Sequence, residues 1–426
     1  MRTSRVAGWV TTAVLAAVTT ACSDDGRPDR SDASAASSRA PSLGDASASP
    51  TEESGSRVDQ VNLDKLMDKV RFPERVAPGF ELRDVEYTSP TDAVAELLRE
   101  SGRPRDRGTL IATTDDGWAH ASRVFLREDL SESVEAMPLG DGAVAVKLDD
   151  GFAGHPYPPF VLYPDGEVRL LRIAAARPLA SGEVLLDEDR WGFFYEIGRS
   201  NPGRLWAADA EASEIHPVEA STFGDVWQRV PGRRDALLSV DGHQRATRTW
   251  RFATSVDAGR SWTSTVVDLP SRRRFEDEFV PVPVHAVGPG RLQAVAMTQF
   301  VTDSPRYLLE LWQTEDEETF RRVRVPWEPG YFGGIAYASD GALLIAEVEG
   351  FDSYCRGGPC TRPGRIWRLA AGSAEPQLAR GAPRLFGPFW NVGIETSGGV
   401  IVARTGMRTV AVSEDGYSWT EVAPGR

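Results

Sequence analysis

Between residues 254 and 262 the chain reads Thr254-Ser255-Val256-Asp257-Ala258-Gly259-Arg260-Ser261-Trp262. Its key residues each suit a tight hairpin turn. The Asp257 carboxylate can accept hydrogen bonds from turn amides, Gly259 tolerates positive φ, and Trp262 offers a large face to pack between sheets. Weaker versions recur along the chain. Thr113-Thr114-Asp115-Asp116-Gly117 carries the turn with Trp118 displaced. Ser413-Glu414-Asp415-Gly416-Tyr417-Ser418-Trp419 is one residue shorter, and Thr314-Glu315-Asp316-Glu317-Glu318-Thr319-Phe320 shares that spacing with Phe for Trp. Tyr163-Pro164-Asp165-Gly166 and Ala207-Ala208-Asp209-Ala210-Glu211 are eroded copies, and Ala370-Ala371-Gly372 fills the remaining slot. The turns centre near 115, 165, 209, 257, 316, 371 and 415, between 44 and 59 residues apart.

Between the turns, short β-branched and aromatic runs alternate with Gly, Pro and Asp, and 40 Gly and 29 Pro in 426 residues argue against long helices. A period of about 40–50 residues in such a chain predicts blades of four strands. The expected fold is all-β: a single β-propeller over 79–426, with seven four-stranded blades. A six-bladed ring is an alternative, because two of the turns are faint. A pair of β-sandwiches is another, but it leaves the repeated Asp turn unexplained. Val61, Leu63, Leu66, Met67 and Val70 have helical spacing, so 58–78 is expected to hold a short helix and a lead-in.

The pattern Ser-x-Asp-x-Gly-x-Thr/Ser-Trp resembles the Asp-box, or BNR repeat, of sialidase-like β-propellers. The resemblance implies that each box joins the third and outermost strands of a blade, on the face opposite the usual ligand pocket. Ser255, Asp257, Gly259, Trp262, Thr113, Asp115, Gly117, Asp316, Ser413, Asp415 and Trp419 would then be structural rather than catalytic. The opposite loops would gather Arg71, Tyr157, Arg245, Trp327, Tyr331 and Trp390 as candidate pocket-face residues. Arginine forks suit carboxylates and sulfates, and aromatic faces suit sugar rings or apolar partner surfaces. Against this, all but three of the 48 basic residues (Lys65, Lys69, Lys147) are Arg, so arginines in these loops also follow from composition alone.

Sialidases share an Arg-Ile-Pro motif whose Arg begins a three-Arg clamp on the substrate carboxylate. They add an Asp acid/base and a Tyr nucleophile supported by Glu. Arg71-Phe72-Pro73 departs at the middle residue and precedes the first repeated turn. No later arginine pair matches by motif, and Tyr331 and Tyr354 lack a recognisable supporting Glu. Catalytic residues are therefore not assigned, and a sialidase-type exo-glycoside hydrolase is the alternative to a non-catalytic module.

At the N-terminus, Arg2 and Arg5 precede an apolar run from Val6 to Val18, shorter than the roughly 20 residues a spanning helix needs. With Thr19-Thr20-Ala21-Cys22 this resembles a bacterial secretory signal ending in a lipobox. The resemblance implies removal of 1–21 and lipid attachment at Cys22; a plain signal peptide cut elsewhere is the alternative. Residues 22–57 are mostly Ser, Ala, Asp, Glu and Pro, the composition of a disordered tether. Cys355 and Cys360 suit a small loop disulfide in an oxidising compartment; a two-Cys metal site would have no His or third Cys nearby. A formal charge of −14 disfavours nucleic acid. His-Glu-x-x-His, Cys-x-x-Cys, nucleophile-elbow and phosphate-loop motifs are absent from the sequence, so no metal or cofactor is expected. The expectation is a lipid-anchored protein at the outer face of the cytoplasmic membrane. It would act as a recognition or scaffolding module for an anionic glycan or an envelope protein, or as a component of a cell-wall or protein-assembly machine.

Overall fold

The computed structural model describes residues 62–73, 79–99, 108–128, 134–140, 142–148, 159–185, 206–209, 211, 213–219, 226–229, 237–241, 249–255, 257, 259–268, 281–299, 307–316, 319–325, 331–348, 364–386 and 393–424. Among these, the chain is all-β, with 29 strands in six sheets and one helix turn at 62–67. All belong to one compact unit, Thr51–Arg426.

Sheet 1 contains β1 (Val70–Arg71), β2 (Glu81–Tyr87), β3 (Ala93–Arg99), β4 (Gly108–Thr114) and β5 (Arg123–Glu128), in the order β1-β5-β4-β3-β2. Sheet 2 runs in chain order through β6 (Val134–Gly140), β7 (Ala143–Leu148), β8 (Phe160–Leu162) and β9 (Val168–Leu170). Sheet 3 holds β10 (Arg172–Ile173), β11 (Val184–Leu185), β12 (Trp206–Asp209) and β13 (Glu214–Pro217), with β10 parallel to β13 at the edge away from β11. Sheet 4 runs through β14 (Val226–Arg229), β15 (Leu237–Asp241), β16 (Thr249–Ser255) and β17 (Thr263–Asp268). Sheet 5 has eight strands: β18 (Pro281–Val287), β19 (Gln293–Gln299), β20 (Tyr307–Thr314), β21 (Arg321–Val323), β22 (Tyr331–Tyr337), β23 (Leu343–Val348), β24 (Gly364–Leu369) and β25 (Gln377–Leu378). Its two antiparallel halves meet through the single pair Tyr307–Tyr331. Sheet 6 runs through β26 (Ile394–Ser397), β27 (Val400–Arg404), β28 (Val410–Ser413) and β29 (Thr420–Val422).

These sheets differ from uniform four-stranded units in three places: β1 extends sheet 1, β10 lies parallel in sheet 3, and sheet 5 joins two groups. The helix turn explains the first. Leu63 and Leu66 are three residues apart on one helical face and are buried with Phe125 and Phe160. The chain then adds β1 beside β5, and Phe72 meets Phe125 edge-on at 6.1 Å.

Each sheet buries both faces against neighbours, which alternation along strands makes possible. Val94 and Phe125 of sheet 1 share a core with Val144 and Phe160 of sheet 2. Met137 and Val161 of sheet 2 meet Trp206 and Ile215 of sheet 3. Leu185 and Ala207 of sheet 3 meet Leu237 of sheet 4, and Phe252 of sheet 4 packs on Phe320 before β21 at 5.1 Å. Inside sheet 5, Ala296 and Leu308 meet Phe332 and Ile335; its second half meets Ile394 and Ala403 of sheet 6. Val400, Val402 and Val410 of sheet 6 in turn share a core with Leu82, Val85 and Tyr87 of sheet 1. There the Leu82 N–H donates to Met407 O (2.8 Å), and the Ser397 hydroxyl accepts from Tyr87 N–H (2.8 Å) and donates to Tyr87 O (3.2 Å).

Sheets 5 and 6 approach backbone to backbone. A Cβ on Gly393 would overlap the Gly333 carbonyl, and one on Gly334, at φ 116°, would overlap the Ile394 carbonyl. Gly393→Ala is expected to destabilise the fold by more than about 3 kcal/mol in chemical denaturation, since backbone cannot rotate away as a side chain can. Gly290→Ala is the contrast: Gly290 has φ 68° and open space around its missing Cβ, so only the left-handed backbone opposes it, at about 1 kcal/mol.

Candidate functional site

Four turns that precede the last strand of a group share a hydrogen bond from a strand-end hydroxyl to a carboxylate two residues on. After β16, the Ser255 hydroxyl donates to Asp257 Oδ1 (2.8 Å) and accepts the Gly259 N–H (2.8 Å). Asp257 then accepts from the Ser261 N–H (2.9 Å) and hydroxyl (2.6 Å). After β28, Ser413 donates to Asp415 (3.1 Å) and accepts the Gly416 N–H (2.8 Å), while Asp415 accepts the Tyr417 and Ser418 amides (2.8 and 2.7 Å). After β20, Thr314 donates to Asp316 (2.8 Å), which accepts the Thr319 N–H (2.7 Å). The Trp262 and Trp419 indole N–H groups donate to Gly259 O (3.1 Å) and Gly416 O (3.3 Å), tying each apolar wedge to its own turn.

The turn after β4 corrects the sequence reading by one residue. The hydroxyl–carboxylate pair is Thr114 and Asp116 (2.9 Å), not Thr113 and Asp115. Thr114 lies buried at the strand end, where its hydroxyl accepts the Trp118 N–H (3.0 Å). Trp118 thus takes the place Gly259 has in the other turn, at φ 71°, and Gly117 before it is at φ 68°. Asp115 accepts instead from the Ser122 hydroxyl.

These carboxylates are committed to ionised, hydrogen-bonded roles. The His120 backbone N–H, then its ring, hold Asp116 down to about 2. The Ser418 and Tyr417 amides hold Asp415 at about 2, and the Ser261 hydroxyl and amide lower Asp257. None is placed to act as a proton donor near neutral pH.

Of the candidate pocket-face residues, Tyr157, Arg245, Trp327 and Trp390 lie outside the described residues, as do Cys22, Cys355 and Cys360. Tyr331 opens β22 and pairs with Tyr307 across the two halves of sheet 5. Arg71 is on β1, opposite Leu126, with β5, β4 and β3 between it and β2.

The structure brings together buried polar groups that the sequence reading passed over. Arg404 ends β27, at the end opposite the Asp turn of its sheet. Its Nε–H donates to Gly406 O (3.0 Å). Burial lowers it to about 10, partly offset by Asp84, Glu81 and Glu395. Those carboxylates already supply the anionic neighbours that a substrate clamp would reserve for its ligand. His285 is 8% exposed on β18. The cross-strand pairs His285–Val295 and Val295–Trp312 put it on the same face as Trp312. Among the described residues, both its ring nitrogens and the Trp312 indole N–H are buried without a hydrogen bond of good geometry. Burial pushes His285 down from 6.5 to about 4, with the Gln293 side chain opposing. No cluster of three His, Cys, Asp or Glu side chains suited to a metal occurs among the described residues.

No family model and no curated protein matches the chain. Solved structures do resemble it. The β-propeller domain of the Trilobed protease from Pyrococcus furiosus is 12% identical, with a TM-score of 0.45, covering 82% of this chain and 96% of that one. Virginiamycin B lyase from Staphylococcus aureus is 10% identical, with a TM-score of 0.29 and coverage of 83% and 88%. An ulvan lyase of polysaccharide lyase family PL25 is 12% identical, with a TM-score of 0.31 and coverage of 82% and 86%. Their activities differ from one another and are theirs alone.

Two outcomes follow from this geometry. Ser413→Ala leaves the buried Gly416 N–H without its acceptor and is expected to cost about 1–3 kcal/mol by thermal or urea unfolding. For His285, the folded value near 4 lies below the ordinary 6.5, so the unfolded chain binds the extra proton between these pH values. Its contribution is intact above 6.5 and is lost as pH falls through 4, amounting to about 3 kcal/mol. Urea unfolding across that range should show the loss, and His285→Leu should flatten it.

Proposed function

We propose that the chain is an exported, lipid-anchored β-propeller of seven four-stranded blades, closed into a ring, that works as a non-catalytic recognition or scaffolding module. The blades would be β2–β5, β6–β9, β10–β13, β14–β17, β18–β21, β22–β25 and β26–β29. Support for closure comes from the apolar cores shared between successive groups and from the core that Val400 and Val402 share with Leu82 and Val85. The observation that carries the functional reading is the use of the repeated carboxylates. Asp116, Asp257, Asp316 and Asp415 all accept turn hydrogen bonds, so the repeat that defines the chain builds a frame and leaves its loops to bind.

The anchor rests on Arg2, Arg5, the Val6–Val18 run and Cys22. With 1–21 removed, Cys22 would carry the lipid and 22–57 would be the tether, holding the propeller at the outer face of the cytoplasmic membrane. An anionic glycan or an envelope protein is the partner class, met by the loops opposite the Asp turns. A Cys355–Cys360 disulfide would stiffen one of those loops in the oxidising compartment. Asp-box kinship with sialidase-like propellers stays part of this proposal, and the reading invokes no cofactor.

Metabolic labelling of the full chain with a palmitate analogue should tag it, and Cys22→Ala should abolish the tag. In vivo crosslinking of the anchored protein should then recover a discrete envelope protein or acidic glycan. Turnover of fluorogenic glycosides, a sialoside included, by the same preparation would overturn the non-catalytic reading. An unlabelled wild-type chain would overturn the anchor.

A further inference from the structure

After β9 the chain does not turn back. It runs parallel along β13, donating from Arg172, Ala174 and Arg177 amides to Ser213 O (2.9 Å), Ile215 O (2.8 Å) and Pro217 O (3.1 Å). It then crosses to Glu183, which leads into β11. The strap formed by 172–183 presses Leu179 onto Leu185, Ala207, Val218 and Leu237, with Trp262 beside them. The apolar contact is small, and a charged network accompanies it. Arg177 Nη2 lies 2.7 Å from Glu183 Oε1 and 3.3 Å from Asp209 Oδ2. The Ala180 N–H donates to Glu183 Oε2 (2.6 Å). His216 on β13, with its side chain fully buried, sets Nε2 2.9 Å from Glu183 Oε1, itself 2% exposed, and Nδ1 3.0 Å from Pro217 O.

Both ring nitrogens of His216 thus face oxygens. A carbonyl can only accept, and a carboxylate that already takes an amide and a guanidinium N–H is also an acceptor. Only the doubly protonated ring satisfies both contacts. The charged groups of this network among the described residues are Arg177 and Arg172, with Glu183, Asp209 and Glu214, and Arg172 pairs with Glu214 at 3.1 Å.

We propose that His216, held as imidazolium by Glu183 and the Pro217 carbonyl, is the pin of a pH-sensitive latch that keeps the 172–183 strap seated across sheet 3. Loss of its proton turns a ring lone pair against an oxygen and leaves the buried Glu183 carboxylate short of a donor. A buried pair that loses one charge costs far more than it contributed while intact. The strap then lifts, and with it the Leu179 contact that fills the space between sheets 3 and 4. The latch is seated on the acid side and opens as pH rises.

Hydrogen exchange of the full chain, corrected for intrinsic rates, tests this. The Arg172, Ala174 and Arg177 amides should lose protection at least about tenfold relative to β27 amides between about pH 6 and about pH 9. His216→Gln, which can still donate to Glu183 but cannot titrate, should flatten that profile. If this variant fails to fold, ring-nitrogen spectra of the ¹⁵N-histidine-labelled wild type decide the matter. N–H on both nitrogens of His216 near neutral pH supports the latch; a neutral tautomer, or strap protection that tracks β27 throughout, overturns it.

Discussion

A hydroxyl that donates to a carboxylate two residues later, while accepting an amide from the far side of the turn, is the contact on which the remaining architecture hangs. In the pairs Thr114–Asp116, Ser255–Asp257 and Ser413–Asp415 it joins third to fourth strands, and Thr314–Asp316 repeats the hydroxyl-to-carboxylate half. Fixing the turn fixes the register, and register decides which side chains face each neighbour. A four-stranded sheet with two apolar faces cannot stand alone in water, so each sheet made this way requires another on either side. The turn also reaches across sheets. Arg368 on β24 pairs with Asp340, donates to Asp415 O (3.3 Å) and stacks over Tyr417 at 3.8 Å.

Local chemistry was therefore legible in the sequence, and non-local pairing was not. The turn near 257 could be read because every partner lies within seven residues. The turn near 115 was misread by one residue because two threonines adjoin two aspartates, and composition does not say which pair sits at the strand end. Gly117 and Trp118 are both left-handed, at φ 68° and 71°, and a tryptophan gives no local sign of that conformation. Nothing local marks β10 as a parallel partner of β13, or Tyr307 as a partner of Tyr331. Those pairings depend on where sheets meet after folding.

The polar sites show the same division. Glu183 and His216 are 33 positions apart, and Arg404 reaches carboxylates from β2 and β26. Yet a signal was present. Ile215-His216-Pro217 and Val284-His285-Ala286 each set a histidine in an apolar strand, where alternation places it on an inward face. A search for His-Glu-x-x-His spacing passes over both. The two then diverge through their surroundings alone: acceptor oxygens at both nitrogens of His216, and burial around His285 that the Gln293 side chain opposes only in part.

The seams between sheets are consequently unequal. Between the second half of sheet 5 and sheet 6, Ala336, Ala346, Ala403 and Ala411 are buried together, and Gly334 and Gly393 let backbones touch. Such a seam contains little that pH can alter, and its packing leaves no room to adjust. Between sheets 3 and 4 a strap held by Arg177, Glu183, Asp209 and His216 intervenes, and the sheet 5 face that meets Phe252 also carries an imidazole and an indole N–H that are buried without a hydrogen bond among the described residues. Buried polar groups stabilise only while satisfied and in the right protonation state. Sheet 4 is bounded by both polar seams, while the glycine- and alanine-lined side holds the frame in register.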